Sequence, residues 1–421
     1  AGIDIDIHGD KNAKSGIYVW GQGRNGASLT ISNDNQAEHA VKIRNTAAEK
    51  DAAILVDGRS VKDGGSAKLV IKGLVDVEND DVSVIQANKG DVSIGGGKII
   101  AKGDKASSLK INNDGKIQIN GNLSDRNVLT AGAVKHDVQI EGNVLAQKGR
   151  LGLVLNTDGS YIKGLIGTDA GTAGQTYMML SDGASWYHEG KGARTDGIKE
   201  SKIKNLEADG GNIYQKNEKP ITIENYKGNM KLFYKHENAG TKAADYKAGN
   251  TYIGSAAEGS HITVVTDRSN INTDNEDQVY EVLNALAGKL YYDAYKTGEE
   301  KLTGQATIAE GLTSSSQTVK MKDMLFKKEN GQGYVQGKPT PPPLVNPVRH
   351  QIVEANYFAE EARDFWSKAG VYDGKGHYKF DHDLSLVTHA EDDPVTTVND
   401  NKFGNIYWNG DVVGDIDMTG H

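Results

Sequence analysis

The feature that most constrains this chain is a short unit that returns at a nearly fixed period. Leu69-Val70-Ile71-Lys72-Gly73, Val92-Ser93-Ile94-Gly95-Gly96, Ile117-Gln118-Ile119-Asn120-Gly121 and Val138-Gln139-Ile140-Glu141-Gly142 begin at 69, 92, 117 and 138, at intervals of 23, 25 and 21 residues. Each unit sets two apolar residues two apart, hence on one face of a strand, and ends on glycine. Further short clusters surround them, such as Leu29-Thr30-Ile31, Ala40-Val41-Lys42-Ile43, Leu109-Lys110-Ile111 and Ile262-Thr263-Val264-Val265. So small a unit cannot bury its own apolar face, whereas copies stacked at the β spacing of about 4.8 Å share one core. The period therefore predicts an all-β fold, a right-handed parallel β-helix (solenoid), with Val, Ile and Leu inside and Gly and Asn in the turns, as at Asn112-Asn113-Asp114-Gly115. An antiparallel sandwich or barrel ranks second, because 51 glycines and only 6 phenylalanines suit a narrow stack better than a wide aromatic core.

The pattern changes beyond residue 260. Asn275 to Tyr295 carries Val279, Val282, Leu283, Leu286, Leu290 and Tyr291 at helical spacing behind an acidic first turn, with Gly288 weakening or ending the helix. Strand-like segments return at Thr307-Ile308-Ala309 and Thr318-Val319-Lys320-Met321. Five of the 7 prolines, Pro339, Pro341, Pro342, Pro343 and Pro347, then mark a semi-rigid linker. Val348 to Ala369 reads as a second amphipathic helix, with Ile352, Phe358, Phe365 and Trp366 on its stripe. The expected organisation is a parallel β-helix over 1–270, a helix plus strands closing it over 271–335, a Pro-rich linker over 336–347 and a small helix-and-strand cap or tail over 348–421.

Composition removes several function classes. With no Cys, disulfide scaffolds, thiolate zinc sites and cysteine nucleophiles are excluded. Apolar runs such as Ala52-Ala53-Ile54-Leu55-Val56 are far shorter than the roughly 18–20 residues of a membrane helix. A net charge of −9 argues against nucleic acid as a partner. The chain opens at Ala1 without Met or a signal-like segment, so a processed chain or a cut piece is expected.

The segment Leu180-Ser181-Asp182-Gly183-Ala184-Ser185-Trp186-Tyr187 resembles an element common in passenger domains of bacterial autotransporters, the type V secretion family. Leu232-Phe233-Tyr234, Gly259 to Thr266, Leu283 to Tyr292 and Ile308 to Thr313 resemble the region that closes such passengers. The resemblance spans about residues 1 to 335. It implies a right-handed β-helix exported through an outer-membrane barrel translocator that this chain lacks, with 271–335 acting like an autochaperone. Absent Cys and few bulky aromatics fit a chain that crosses a membrane unfolded and then folds through local contacts. Residues 370–421 depart from the family pattern, being too short and acidic for barrel strands.

Catalytic constellations are sparse. No G-x-S-x-G elbow and no H-E-x-x-H motif occurs. His377, Asp381 and Asp383, with His389 downstream, have strand spacing for a divalent ion, but a solvated acidic tail is preferred because no second cluster completes the ligand set. Glycan-cleaving enzymes use two carboxylates as acid and base, and Asp4/Asp6, Asp80/Asp81 and Asp392/Asp393 supply such pairs, yet sequence neighbours seldom face each other across a sugar. Tyr18 and Trp20 alternate on a strand, as do Trp186 and His188; Trp186 is expected to close its rung and Tyr291 to lie in the core. Both Ile3-Asp4-Ile5-Asp6-Ile7 and Gly414 to Met418 read as uncapped strand; either the region after the prolines caps the N-terminal end, in cis or from another chain, or residue order here is not gene order.

The reading reached is a non-catalytic adhesin at the bacterial cell surface, binding host extracellular matrix protein (such as fibronectin) or surface glycan. No catalytic, cofactor-binding or metal residue and no cofactor is assigned, and the ligand-binding residues stay open. A carbohydrate-active enzyme with a groove site and a self-associating biofilm factor are the alternatives, separable by whether a groove with carboxylates exists.

Overall fold

The computed structural model describes residues 2–8, 15–47, 51–62, 65–103, 106–167, 174–190, 197–236 and 246–337, with 370–372, 378–380 and 416–417. The chain divides into two compact units, Ala1–Gln336 and Gly337–His421. In the first, alternating sequences form short strands that pair in parallel, each with a strand about one repeat away, so like side chains stack.

Three ladders result. In one, Ile31, Ile71, Ile94, Ile119, Leu153, Met178, Leu206, Tyr226 and Ala256 are successive partners. In the second, the column is Ile5, Ile43, Val77, Ile99, Ile140, Ile162, Trp186, Ile213, Leu232, Val264 and Ala306. The third is a separate six-stranded sheet with Ile17, Ile54, Ile85, Leu109, Val144 and Ile166 in line. These columns face one another and form one continuous core. Polar corners are paired inside it: Asn112 donates to Asn88 (3.1 Å) and Asn120 to Asn156 (2.9 Å).

The first two ladders are not independent. Asp91–Lys102 and Ser201–Gln215 each run through both, turning at Gly97 (φ 107°) and Gly210 (φ 75°). At Gly97 the turn needs glycine, because a Cβ would collide with the Val75 carbonyl. Pairing consequently closes on itself through Asp91–Lys102, Gly115–Ile119, Gly149–Leu155, Gln175–Ser181, Ser201–Gln215, Ser185–His188, Tyr161–Lys163 and Val138–Glu141. The open right-handed parallel β-helix expected from the repeat is corrected by this closure: the large sheet contains a ring of eight parallel strands, a barrel in its connectivity, with further strands outside it. A period in the sequence reports which residues stack; it does not report that two strands continue round a corner and join their ladders. The four repeat copies illustrate the point. Leu69, Val92 and Ile117 are successive partners, but Val138 pairs with Gly97 in the other ladder, and the true successor of Ile117 is Leu151.

The far end of the first unit is built differently. Helix α1, Glu276–Ala287, starts at Asn275, whose side chain accepts from the amides of Asp277 and Gln278 (both 3.1 Å), and it buries Val279, Val282, Leu283 and Leu286. It stops at Gly288, so Tyr291 lies on the strand Leu290–Tyr292 and not on a helical face. Tyr291 is half-buried and stacks on Tyr252 (4.9 Å), whereas Tyr292 is the core residue. Thr318–Phe326 then pairs antiparallel with Leu302–Ala309, and Gly333–Val335 antiparallel with Thr318–Phe326.

In the second unit, Gly370–Tyr372 pairs antiparallel with Tyr378–Phe380, and Ile416–Asp417 parallel with it. The expected linker prolines, the helix over 348–369, and His377, Asp381, Asp383, His389, Asp392 and Asp393 lie outside the described residues, and with them the expected cap.

Candidate binding groove

Outward positions of the second ladder form a continuous row. Asp6, Arg44, Glu78, Ile100, Glu141, Lys163, Tyr187, Tyr214, Phe233, Val265 and Thr307 are successive partners, so the row passes from charged to aromatic. Parallel in-register pairing sets planar rings one strand spacing apart, which is a stacking distance. Tyr187 and Tyr214 stack with centroids 4.8 Å apart and planes at 17°, and Tyr214 and Phe233 at 4.5 Å and 8°. Tyr161 meets Tyr187 edge-on at 6.4 Å.

The stack is covered on one side by Val265, Ala309 and Leu312. The loop beyond Leu302–Ala309 folds toward it, braced where Thr313 accepts and donates hydrogen bonds with Ser316 and where Lys231 Nζ donates to the Ser314 carbonyl (2.9 Å). Between this loop and the ladder runs a groove of about 800 Å³, with Tyr187, Tyr214 and Phe233 in its floor. Lys216, Lys235 and Lys247 and the carboxylates of Asp158 and Glu218 line it. Lys216 lies 5.0 Å over the Tyr187 ring and 3.4 Å from Glu189.

Burial pushes the Tyr214 phenol up to about 12, and burial together with the Glu141 hydrogen bond (3.0 Å) does the same for Tyr161. Both phenols therefore stay protonated and neutral at physiological pH. The floor is an apolar stack whose ring faces are used on one another, with Tyr214 and Phe233 buried and Tyr187 half-buried, and the walls carry both charge signs. Such a surface suits a polar, hydroxyl- or amide-rich polymer lying along it.

A second, smaller recess of about 430 Å³ lies at the corner near Gly97 and is lined by Asp76, Lys98, His136, Asp137 and Gln139. Burial lowers the His136 pKa.

The residues singled out from sequence are dispersed. Asp4 and Asp6 are exposed on Ile3–Ile7, and Asp80 ends the strand Ala67–Asp80 with Asp81 following it at φ 61°. Tyr18 and Trp20 stand 51% and 49% exposed on Ile17–Gly23, the edge strand of the six-stranded sheet. Trp186 is fully buried and donates its indole N–H to the Gly164 carbonyl (2.9 Å), so it fills the core rather than closing a rung. His188 is buried beside it, donating through Nδ1 to Gln215 and accepting at Nε2 from Ser201 (2.8 Å); burial lowers its pKa to about 4. Among the described residues no group of three His, Asp or Glu is placed to hold a metal ion. The aromatic row escapes a reading by period because its members are unevenly spaced in sequence. The signal that finds them is parity, since Tyr187, Tyr214 and Phe233 each follow a core residue, Trp186, Ile213 and Leu232.

No protein-family model, no curated protein and no solved structure matches the chain.

Proposed function

We propose that this chain is the exported, surface-displayed portion of a bacterial adhesin that binds host extracellular matrix protein or surface glycan without chemical turnover. The observation that carries the reading is the groove of about 800 Å³ beside the Tyr187–Tyr214–Phe233 stack, lined by lysines and carboxylates on a chain of net charge −9. The resemblance of Leu180 to Tyr187 and of residues 232–313 to autotransporter passengers supports display at the cell surface after export through an outer-membrane barrel. Many weak polar contacts along a rigid face combine by avidity, which suits a repetitive ligand.

The test is binding of the 421-residue chain to immobilised matrix proteins and glycans under salt titration, with product release assayed in parallel. Saturable, salt-sensitive binding without product, weakened by Lys216→Glu and Lys235→Glu, is the expected result. Binding indifferent to both substitutions sinks the assignment of the groove. A second reading rests on Asp158 and Glu218 lining that same groove: a glycoside hydrolase with the pair as acid and base. Product release abolished by Asp158→Asn or Glu218→Gln would establish it.

A further inference from the structure

A neutral sugar chain has hydroxyls and an apolar ring face to offer, and the apolar face is held best by an open aromatic face. The groove beside Tyr187, Tyr214 and Phe233 leaves none open. Tyr214 lies between Tyr187 (4.8 Å) and Phe233 (4.5 Å), Phe233 packs with Val265, and Lys216 stands 5.0 Å over the Tyr187 ring. Nor does the floor suit an extended peptide, which docks through backbone hydrogen bonds to an unpaired strand. Ser185–His188, Ser201–Gln215 and Ile221–Tyr234 are each paired on both sides. Charge and hydroxyl groups are left to do the recognition.

The charges are segregated along the groove. Lys216 lies two residues past Tyr214 and Lys235 two past Phe233, on the same outward face and at the ends of strands that pair as neighbours up to Gln215 and Tyr234. Their side chains therefore start about one strand spacing, ~4.8 Å, apart. Lys247 lines this end as well, on the segment whose Gly249 amide donates to the Asn217 carbonyl (2.8 Å), and Glu218 is the carboxylate beside it. Asp158 stands at the other end, next to Gly183 where Ser185–His188 begins. Lys216 has Glu189 at 3.4 Å, whereas Lys235 makes no ion pair among the described residues. Across the groove, Thr313 and Ser314 form a hydroxyl-bearing wall, held where Lys231 donates to the Ser314 carbonyl (2.9 Å).

We infer, resting on the reading of this groove as the binding site, that its ligand is an acidic glycan: a sugar chain bearing carboxylate or sulfate groups, with one such anion bracketed by Lys216 and Lys235 and the neighbouring sugar hydroxyls meeting the Thr313 and Ser314 wall. Two ammonium groups on one anion make charge-assisted hydrogen bonds, which are shorter and stronger than those between neutral groups. Both lysines are exposed, so the contact is weakened by salt.

The test uses the full chain and four glycans: hyaluronan, which carries carboxylate only, keratan sulfate, which carries sulfate only, and the carboxyl-reduced and desulfated forms of the two. At least one acidic polymer is expected to bind about tenfold or more tighter than its neutral form, and the arm in which it does so identifies the anion. Lys216→Gln with Lys235→Gln should weaken that binding about tenfold and leave the neutral forms unaffected, while Lys202→Gln, outward on the first ladder, changes nothing. Neutral forms that bind as tightly as the acidic ones, or equal losses from Lys202→Gln and the groove pair, would overturn the ligand class and leave the adhesin reading standing. Poly-glutamate binding as tightly as the acidic glycans, through the same two lysines, would overturn it in favour of an acidic peptide. Product released from an acidic glycan would do the reverse, keeping the ligand class and ending the non-catalytic reading. Failure of all four glycans to bind would overturn the proposal, and the adhesin reading would fall with it only if the matrix proteins also failed.

Discussion

The two ends of the first unit solve the same problem in opposite ways. Where Ile3–Ile7 and Ala27–Ile31 stand, the core is aliphatic, each of these strands pairs on one side only among the described residues, and the inward residues stay partly exposed. Where Leu302–Ala309 stands, the strand direction reverses, α1 lays Val279, Val282, Leu283 and Leu286 against the stack, and the core turns aromatic with Tyr292 and Phe326 in contact at 5.6 Å. There Thr318–Phe326, which Gly333–Val335 covers only over Met324–Phe326, places charge where Ile3–Ile7 places isoleucine. Lys320 and Lys322 oppose Ile308 and Ala306, with Lys320 on Glu276 (2.8 Å) and Lys322 over the Tyr280 ring (5.2 Å). An inward lysine makes any added strand bury a charge, so this edge is closed to company, while an inward isoleucine rewards one.

Matched truncations separate the two ends most directly. Leu283→Ala at the closed end should cost about 2–5 kcal/mol, because the site is fully buried between α1 and the strands. Ile3→Ala should cost less, about 1 to 1.5 kcal/mol, because more than a third of that residue is already in water. Equal losses in urea unfolding would show that both ends are equally covered in solution.

The aromatic half should also be the acid-sensitive one. His188 has a folded pKa of about 4, below the ordinary 6.5, so protons bind the unfolded chain first. Its contribution is intact above about pH 6.5 and is lost as pH falls from there towards 4, by up to about 3 kcal/mol. His188→Gln should flatten that slope in a pH series of unfolding curves; a slope unchanged in the variant would place the acid sensitivity elsewhere.

A smaller effect sharpens the contrast at the helix. Asn275→Ala should cost about 1 kcal/mol and raise amide exchange in the first turn of α1 before it affects any ladder. Least of all in stability, Lys320→Val with Lys322→Val should leave unfolding nearly unchanged yet make sedimentation concentration-dependent, since the guarded edge would then resemble the open one. If that variant stays monomeric, the inward lysines are not what keeps the edge free.

Local features were legible because they depend on near neighbours. Alternation marked the strands, and Leu69, Val92 and Ile117 stack as their spacing implies. The acidic first turn and Gly288 bounded α1. What failed involved a choice that spacing does not encode. Val138 has the repeat's pattern but joins another ladder, Tyr291 fits a helical face but sits past the glycine that ends it, and Trp186 has the pattern of a lid and is core. The groove was hidden for the same reason, as Tyr187, Tyr214 and Phe233 meet only through register.

Sequence by itself determined that this chain makes many short strands that bury one face and stack in parallel, because alternation and the glycine-terminated period are properties of the local chain. Tertiary structure alone decided which strands continue round a corner to close the eight-strand ring, which outward rings meet to floor a groove, and which end is guarded by lysine. Those outcomes depend on hydrogen-bond register between distant segments, where a shift of one residue exchanges the core face for the solvent face.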